Sequence, residues 1–278
     1  MIRNPQDALF PYPKRRRYVI FLAVKIALVY PDYAPSKTLA APADYGFYAE
    51  GVSSLAAVLK QDGQDVHLVH LISPPPDEDF RARVQDLDPD VLAFSTRTTI
   101  WPEVRRLIHA AKTATGAPVV VGGVHPTLAP EDIAADDAVD VICVGEGEYP
   151  LREYCEALRE ARPPDDIANL WVRRAGGWRR NAVRPLIENL DELPLPSYDI
   201  YDPNILYDIR IDTGPVMLSR GCPYQCAYCC NHQLQKAYPN RKHYARFRSP
   251  AASIAYIQNL RRTFPHIKYL NITDNILP

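Results

Sequence analysis

From Lys25 to about Arg162, compact apolar runs alternate with apolar residues at helical spacing. Ile26-Ala27-Leu28-Val29-Tyr30 is a short apolar run closed by Pro31. Val52, Leu55, Ala56 and Leu59 then recur with the period of a helix. Val66 to Ile72 reads as a second strand, entered through Asp62-Gly63 and closed by Pro74-Pro75-Pro76. Val91-Leu92-Ala93-Phe94 is a third, and Pro102 opens a helix where its missing N–H costs nothing. Val104, Leu107, Ile108 and Ala111 form that helix's buried stripe. Val119-Val120-Val121 is a fourth strand and Val139 to Val144 a fifth, followed by a helix striped by Leu151, Tyr154, Cys155 and Leu158. Cys143 and Cys155 fall on these apolar faces and read as core. His67 and His70, inside the second strand, read as structural.

Strands apolar on both faces and separated by helices specify a parallel sheet covered on each side. Five such units make an α/β, flavodoxin-like, doubly wound domain, which binds ligands beyond the carboxyl ends of its strands. The loops at those ends carry small or polar residues: Ser95-Thr96, Gly122-Gly123-Val124-His125-Pro126 and Gly145-Glu146-Gly147-Glu148. Glycine there admits a ligand close to the backbone, although turns use glycine in any fold.

After Arg162 the pattern breaks. Asn169 to Arg173 and Trp178 to Val183 flank Ala175-Gly176-Gly177 as a short hairpin. Leu190 to Pro196 reads as extended linker. Val216-Met217-Leu218 starts a second domain, followed by Ser219-Arg220-Gly221-Cys222-Pro223-Tyr224-Gln225-Cys226-Ala227-Tyr228-Cys229. Three thiolates at C-x3-C-x2-C spacing can surround one metal centre, and cysteine is the usual ligand of iron–sulfur clusters. A four-iron cluster takes four thiolates, so three leave one iron open to a small molecule. Zinc ribbons pair two C-x2-C knuckles, and no second knuckle follows. A disulfide framework does not suit a long chain without a secretory pattern. Cys230 reads as a bystander. Ser249 is an N-cap with Pro250 at the first helical position. A further strand, Tyr269 to Ile272, ends at Thr273-Asp274-Asn275.

The cysteine spacing, with Tyr228 before the last cysteine, resembles the signature of the radical S-adenosylmethionine (SAM) enzymes. The loops Gly122 to Pro126 and Gly145 to Glu148 are similar to the G-G-x-H-P and G-E-G-E loops of the cobalamin-binding domain that precedes the radical SAM domain in one large subfamily. The resemblance implies a 4Fe-4S cluster on Cys222, Cys226 and Cys229, with SAM on the open iron and cleaved reductively to a 5′-deoxyadenosyl radical. It implies cobalamin in the first domain and methyl transfer or radical rearrangement as the reaction class. Tyr228 and Asp274 near the cluster, and Ser95, Thr96, Gly122, Gly123, His125, Gly145, Glu146 and Gly147 in the first domain, are the implied cofactor contacts. Arg246 and Arg248 lie in a stretch similar to the family's R-x-R-S-P; they read equally as cofactor or substrate contacts and as solvated charges. One departure concerns D-x-H-x-x-G after the first strand, whose histidine ligates cobalt in many cobalamin domains. Pro31 to Lys37 here has no histidine, so cobalt is expected to lack one. A non-catalytic cobalamin- or cluster-binding remnant or partner subunit is the alternative.

The implied layout is an irregular leader over 1–24, a cobalamin-binding-like domain over 25–162, a linker with hairpin over 163–213 and the amino-terminal part of a partial (β/α) barrel over 214–278. Only the first βα unit and second strand of that barrel are expected, so the chain reads as truncated. With 278 residues, 47% hydrophobic and 23% charged, the composition is that of a globular protein. The formal charge of -1 leaves no electrostatic footprint for nucleic acid. Lys14 to Arg17 followed by Tyr18 to Val24 imitates a signal peptide, but Lys25 interrupts the run before it could span a membrane. Six cysteines, three in one metal motif, fit a reducing cytoplasm. The expected partners are a small-molecule substrate and an electron donor such as flavodoxin or ferredoxin, with neither nucleic acid nor membrane.

Overall fold

The computed structural model describes residues 23–33 and 45–276. Nearly all of the expected leader, and most of the loop after the first strand, lie outside them. The elements are β1 (Lys25–Pro31), α1 (Glu50–Gln61), β2 (Asp65–Leu71), α2 (Asp77–Leu87), β3 (Val91–Thr96), α3 (Trp101–Thr115), β4 (Val119–Gly123), α4 (Val124–Leu128), α5 (Pro130–Ala134), β5 (Val141–Cys143) and α6 (Glu148–Arg159). Then follow β6 (Leu170–Arg174), β7 (Gly177–Arg180), α7 (Tyr207–Arg210), β8 (Thr213–Val216), β9 (Ser219–Arg220), α8 (Asn231–Lys236), β10 (Arg246–Phe247), α9 (Pro250–Thr263) and β11 (Tyr269–Ile272).

β1 to β5 are parallel in the order β2-β1-β3-β4-β5, the flavodoxin-like arrangement. Alternation along each strand divides the core. Ala27, Val29, Leu92 and Phe94 pack with α2 and α3, while Ile26, Leu28, Val91 and Ala93 pack with α1 and α6. Both faces are apolar because helices cover both. Cys143 and Cys155 are buried in this core, and burial pushes the Cys143 thiol up to about 12.

The hairpin expected in the linker instead extends this sheet. β6 pairs antiparallel with β5, and β7 with β6, giving seven strands. Val172 opposite Val141 is fully buried, so the hairpin has an apolar face to bury against the sheet edge. The proline-rich stretch after it is packed too. Ile187, Leu190 and Leu193 cover Val58, and Tyr198 and Tyr201 enter a core with Val216, Tyr256 and Leu260. Extended backbone with fixed turns can bury side chains without joining a ladder.

In the second part, β8 pairs parallel with β11 across α9. Ser249 caps α9, its Oγ accepting from the Ala252 N–H at 3.2 Å. The strand expected at Val216 to Leu218 begins earlier, at Thr213, and leaves the ladder after Val216. Leu218 is held otherwise: its N–H donates to Asp274 (3.1 Å) and its carbonyl accepts from Arg248 (2.9 Å). Among the described residues β11 pairs only with β8, and Tyr269, Leu270 and Ile272 on it are exposed.

Asp136, before β5, has a side chain only 2% exposed. Burial acts to raise its pKa, but the Ala138 N–H (2.9 Å), Arg105 (2.5 Å) and His109 (3.1 Å) outweigh it and hold the carboxyl below its ordinary value. A carboxylate depressed in the folded state stabilises above its unfolded pKa, and that contribution is lost as pH falls through the folded pKa. Asp136→Asn is therefore expected to lower stability at neutral pH, with the gap to wild type closing on acidification. Urea midpoints between about pH 7 and about pH 3 check this; a gap independent of pH contradicts it.

Candidate functional site: a cavity between the sheet edge and the cysteine loop

A cavity of about 540 Å³ opens at the carboxyl ends of β1, β3, β4 and β5. This is the size range of small-molecule sites, roughly 300–1,000 Å³. Its floor is apolar, including Leu28, Ala93, Val120 and Leu151, and its wall includes Ser95, Gly122, Gly123, Gly145, Glu146 and Gly147. The opposite wall comes from the second part: Met217, Arg220, Gly221, Tyr238, Tyr244 and Arg246. One concavity therefore joins the glycine loops to the segment entering the cysteine triad.

Gly123 and Gly145 are required by close approach. Gly123 has φ +111°, and a Cβ there would stand 2.6 Å from the Thr96 carbonyl oxygen. At Gly145 (φ +92°) it would stand 2.9 Å from the Tyr238 hydroxyl. Thr127 ties the two loops together: its hydroxyl donates to the Gly123 carbonyl (2.8 Å) and accepts from the Gly145 N–H (2.9 Å). A mostly apolar space with bare peptide edges suits a large flat organic ligand such as a corrinoid.

Of the remaining first-domain candidates, Thr96 is buried behind the wall, its hydroxyl donating to the Arg97 carbonyl at 3.2 Å. His125 stands away from the cavity. It is 3% exposed on α4, with Nδ1 3.2 Å from the Thr98 hydroxyl and its ring 5.7 Å from that of Trp101. Burial holds its pKa below the usual imidazole value against the opposing charge of Asp132, which favours the neutral ring. His70 pairs with Asp32 in the interior at 3.1 Å. No histidine lines the cavity among the described residues.

Glu146 and Glu148 do more than bound a glycine loop. Glu148, 3% exposed, accepts from Arg220 Nη2 at 2.6 Å and from the Ser54 hydroxyl at 2.8 Å. Glu146 accepts from Arg220 Nη1 (3.3 Å), Arg246 Nη1 (2.9 Å) and the Ile187 N–H (2.9 Å). Burial alone would lower the Arg220 pKa, but Glu148 and Glu146 raise it overall and keep the guanidinium charged. Burial likewise acts to raise Glu148, and the Arg220 charge more than offsets it. Arg246 and Arg248 are buried rather than solvated; Arg248 donates to the Leu190 carbonyl at 2.8 Å. Nearby, Glu50 accepts from the hydroxyls of Tyr48 (2.8 Å) and Tyr256, and burial raises its pKa. These pairings were missed in the sequence because the partners lie far apart along the chain, 72 residues for Glu148 and Arg220.

The cysteine loop is open to solvent. Cys222 and Cys229 are half-buried, Cys226 and Cys230 exposed, and all are free thiols. The Cys229 N–H donates to the Cys226 carbonyl at 3.0 Å, closing a turn between two of the triad. Tyr228 is 93% exposed. Three thiols on one short loop, with no histidine or carboxylate between them, are a donor set suited to an iron–sulfur cluster. Asp274 anchors the approach to this loop, accepting from the N–H groups of Leu218 (3.1 Å) and Ser219 (2.5 Å) and from the Ser219 hydroxyl. No helix among the described residues is long and apolar enough to cross a membrane.

Residues 36–154 match the B12 binding domain family. An uncharacterized methyltransferase of Pyrococcus horikoshii is 31% identical over 182 residues, covering 64% of this chain and 39% of that protein. Among solved structures, the cobalamin-dependent S-adenosylmethionine radical enzyme OxsB, with aqua-cobalamin and S-adenosylmethionine bound, superposes with a TM-score of 0.70 at 18% identity, covering 91% of this chain and 34% of that one. The radical S-adenosylmethionine methyltransferase TsrM from Kitasatospora setae, with cobalamin and a 4Fe-4S cluster bound, superposes with a TM-score of 0.65 at 17% identity, covering 91% and 48%. The chain thus spans less than half the length of each of these proteins. With a B12 binding domain match over residues 36–154 followed by a C-x3-C-x2-C triad, the chain is similar to radical SAM enzymes that carry a cobalamin-binding domain.

Proposed function

We propose that this chain binds cobalamin in the cavity at the sheet edge and a 4Fe-4S cluster on Cys222, Cys226 and Cys229, and takes part in SAM-dependent methyl transfer or radical rearrangement of a small molecule. The observation that carries this reading is the single cavity walled by Gly122, Gly123, Gly145 and Gly147 on one side and by Arg220 and Gly221 on the other. When bound, the cluster would supply the electron for reductive SAM cleavage and cobalamin would serve as the methyl carrier.

The chain's own residues bind and position. The three thiolates hold iron, and Tyr228 is exposed beside Cys229 where it can meet SAM. Asp274 fixes Leu218 and Ser219 ahead of the loop. Ser95 and the glycines leave peptide edges open to cobalamin, while the apolar floor excludes water from the cavity's depth. Reduction calls for a small electron donor such as flavodoxin or ferredoxin, and exposed Cys226 and Tyr228 leave the loop accessible to one. A cytoplasmic setting keeps the thiols reduced.

A second reading, a non-catalytic cobalamin- or cluster-binding remnant or partner subunit, is favoured by one observation. Tyr269, Leu270 and Ile272 expose apolar surface on a strand that, among the described residues, pairs along one edge only.

Anaerobic reconstitution with iron and sulfide, followed by EPR of the reduced protein with and without SAM, tests the proposal. The expected result is a four-iron signal that shifts on adding SAM and is lost in Cys226→Ala. A four-iron signal indifferent to SAM would favour the second reading. No cluster in the folded wild-type chain would overturn the assignment of the triad.

A further inference from the structure

We propose that Arg220 is a positioning residue that couples the cobalamin cavity to the cysteine loop, so that loading either site strengthens loading of the other. The inference rests on the function proposed above and goes beyond it. That reading assigns two sites; the charge cluster between them assigns a mechanical link.

Arg220 stands two residues before Cys222 and lines the cavity. Its fork spans the two carboxylates of the fifth-strand loop, Glu148 at 2.6 Å and Glu146 at 3.3 Å. That loop is also cavity wall, so a ligand pressing on its peptide edges acts on the groups that grip Arg220. The grip passes along a stiff segment. Gly221 (φ +81°) packs so tightly that a Cβ would come 2.0 Å from the Tyr244 carbonyl oxygen. Ser219, on the other side of Arg220, is held by Asp274. Glu146 also binds Arg246 (2.9 Å), two residues beyond Tyr244, so both strands of the β9–β10 pair answer to the same carboxylate.

Between such sites, coupling is a free energy and is reciprocal. If cobalamin in the cavity orders the cysteine loop, a cluster on that loop must tighten cobalamin by the same factor. An ion pair whose two ends lie on opposite walls of the cavity supplies the contact that differs between the loaded and empty states.

The test is the Kd of hydroxocobalamin, from absorbance titrations of the full chain in cluster-free and anaerobically reconstituted forms. Wild type, Arg220→Gln, Arg220→Lys and Glu146→Gln are compared. In wild type the reconstituted form is expected to bind at least about fivefold more tightly. In Arg220→Gln and Glu146→Gln the two values should converge to within about twofold. Arg220→Lys, which keeps the charge and loses the fork, should recover part of the ratio. Should Arg220→Gln fail to fold, Glu146→Gln decides the matter, because it leaves the Glu148–Arg220 pair in place. Equal, measurable affinities in the two wild-type forms, or an undiminished ratio in the variants, would overturn the coupling while leaving the functional reading intact. Absence of binding by either wild-type form would overturn that reading, and the coupling with it.

Discussion

Replacing Glu148 by alanine is expected to destabilise the protein by about 3–5 kcal/mol, the cost of removing one partner from a buried ion pair. The Glu148 and Arg220 side chains are 4% and 16% exposed and 2.6 Å apart. Truncation would leave the guanidinium with Glu146 as its one hydrogen-bonded carboxylate, which it meets at 3.3 Å and shares with Arg246, and with the Ser54 hydroxyl oxygen at 2.9 Å. It would also strand the Ser54 hydroxyl, itself 1% exposed, without the acceptor it now donates to. Glu148→Gln keeps an oxygen in place for both donors and loses the charge, so its cost should be smaller. Urea unfolding of the apo chain measures both. A loss below about 1 kcal/mol for Glu148→Ala, the range of exposed pairs, would mean that water replaces the carboxylate and that the pair does not hold Arg220 against the α6 N-terminus. The sign with pH is also set. Because Arg220 holds Glu148 below the ordinary carboxylate range, the pair's contribution is complete above that range and disappears as the pH falls through the lowered folded pKa.

Gly221→Ala should be comparably damaging, at about 2–6 kcal/mol. A non-glycine residue held at positive φ costs about 1–3 kcal/mol. Overpacking adds roughly 1–3 kcal/mol when the neighbour cannot yield. Here the neighbour is backbone, with the new methyl 2.0 Å from the Tyr244 carbonyl oxygen and 2.7 Å from its carbon. No rotamer change relieves that contact; β9 and β10 must separate. The readouts are the urea midpoint and the iron retained after reconstitution. Both should fall, since the displaced residue adjoins Cys222 and the displaced strand carries Arg246. Gly176→Ala is the matched control, because a Cβ there meets nothing within 4 Å. If Gly221→Ala behaves like that control, the tight approach of the cysteine segment to Tyr244 is not a feature of the protein in solution.

Much of the first domain was legible in the chain. Apolar runs such as Val91 to Phe94 and Val119 to Val121 are short, uninterrupted and bounded by helical stripes, and both sheet faces are indeed covered. The sheet edge that carries the glycines was legible, but not their conformation: Ser95, Thr96, Gly122 and Gly123 end β3 and β4 as paired strand residues and Val124 to Pro126 enter α4, so only Gly145 to Gly147 form the expected loop. Less legible was what shared that edge. The hairpin from Leu170 to Arg180 read as linker because its turn signal is local, whereas its pairing with β5 depends on which sheet edge stands free. Leu190 to Pro196 read as spacing because extended, proline-rich backbone has no period to betray burial, yet Leu190 and Leu193 are 2% and 4% exposed.

The sequence by itself determined the local facts: a doubly wound α/β unit, three thiols at cluster spacing on one loop, and glycines at the carboxyl ends of the fourth and fifth strands. These follow from short-range rules, because periodicity, spacing and φ are properties of neighbouring residues. Only the tertiary structure decided that Glu146 and Glu148 face Arg220 and that Arg246 and Arg248 are buried. It likewise decided that His125 faces Thr98 and Trp101 instead of the cavity. A charge in a sequence carries no record of whether it meets water or an opposite charge 72 residues away. That is settled when the two parts of the chain close on one another, because a buried guanidinium is tolerated only where carboxylates already wait for it.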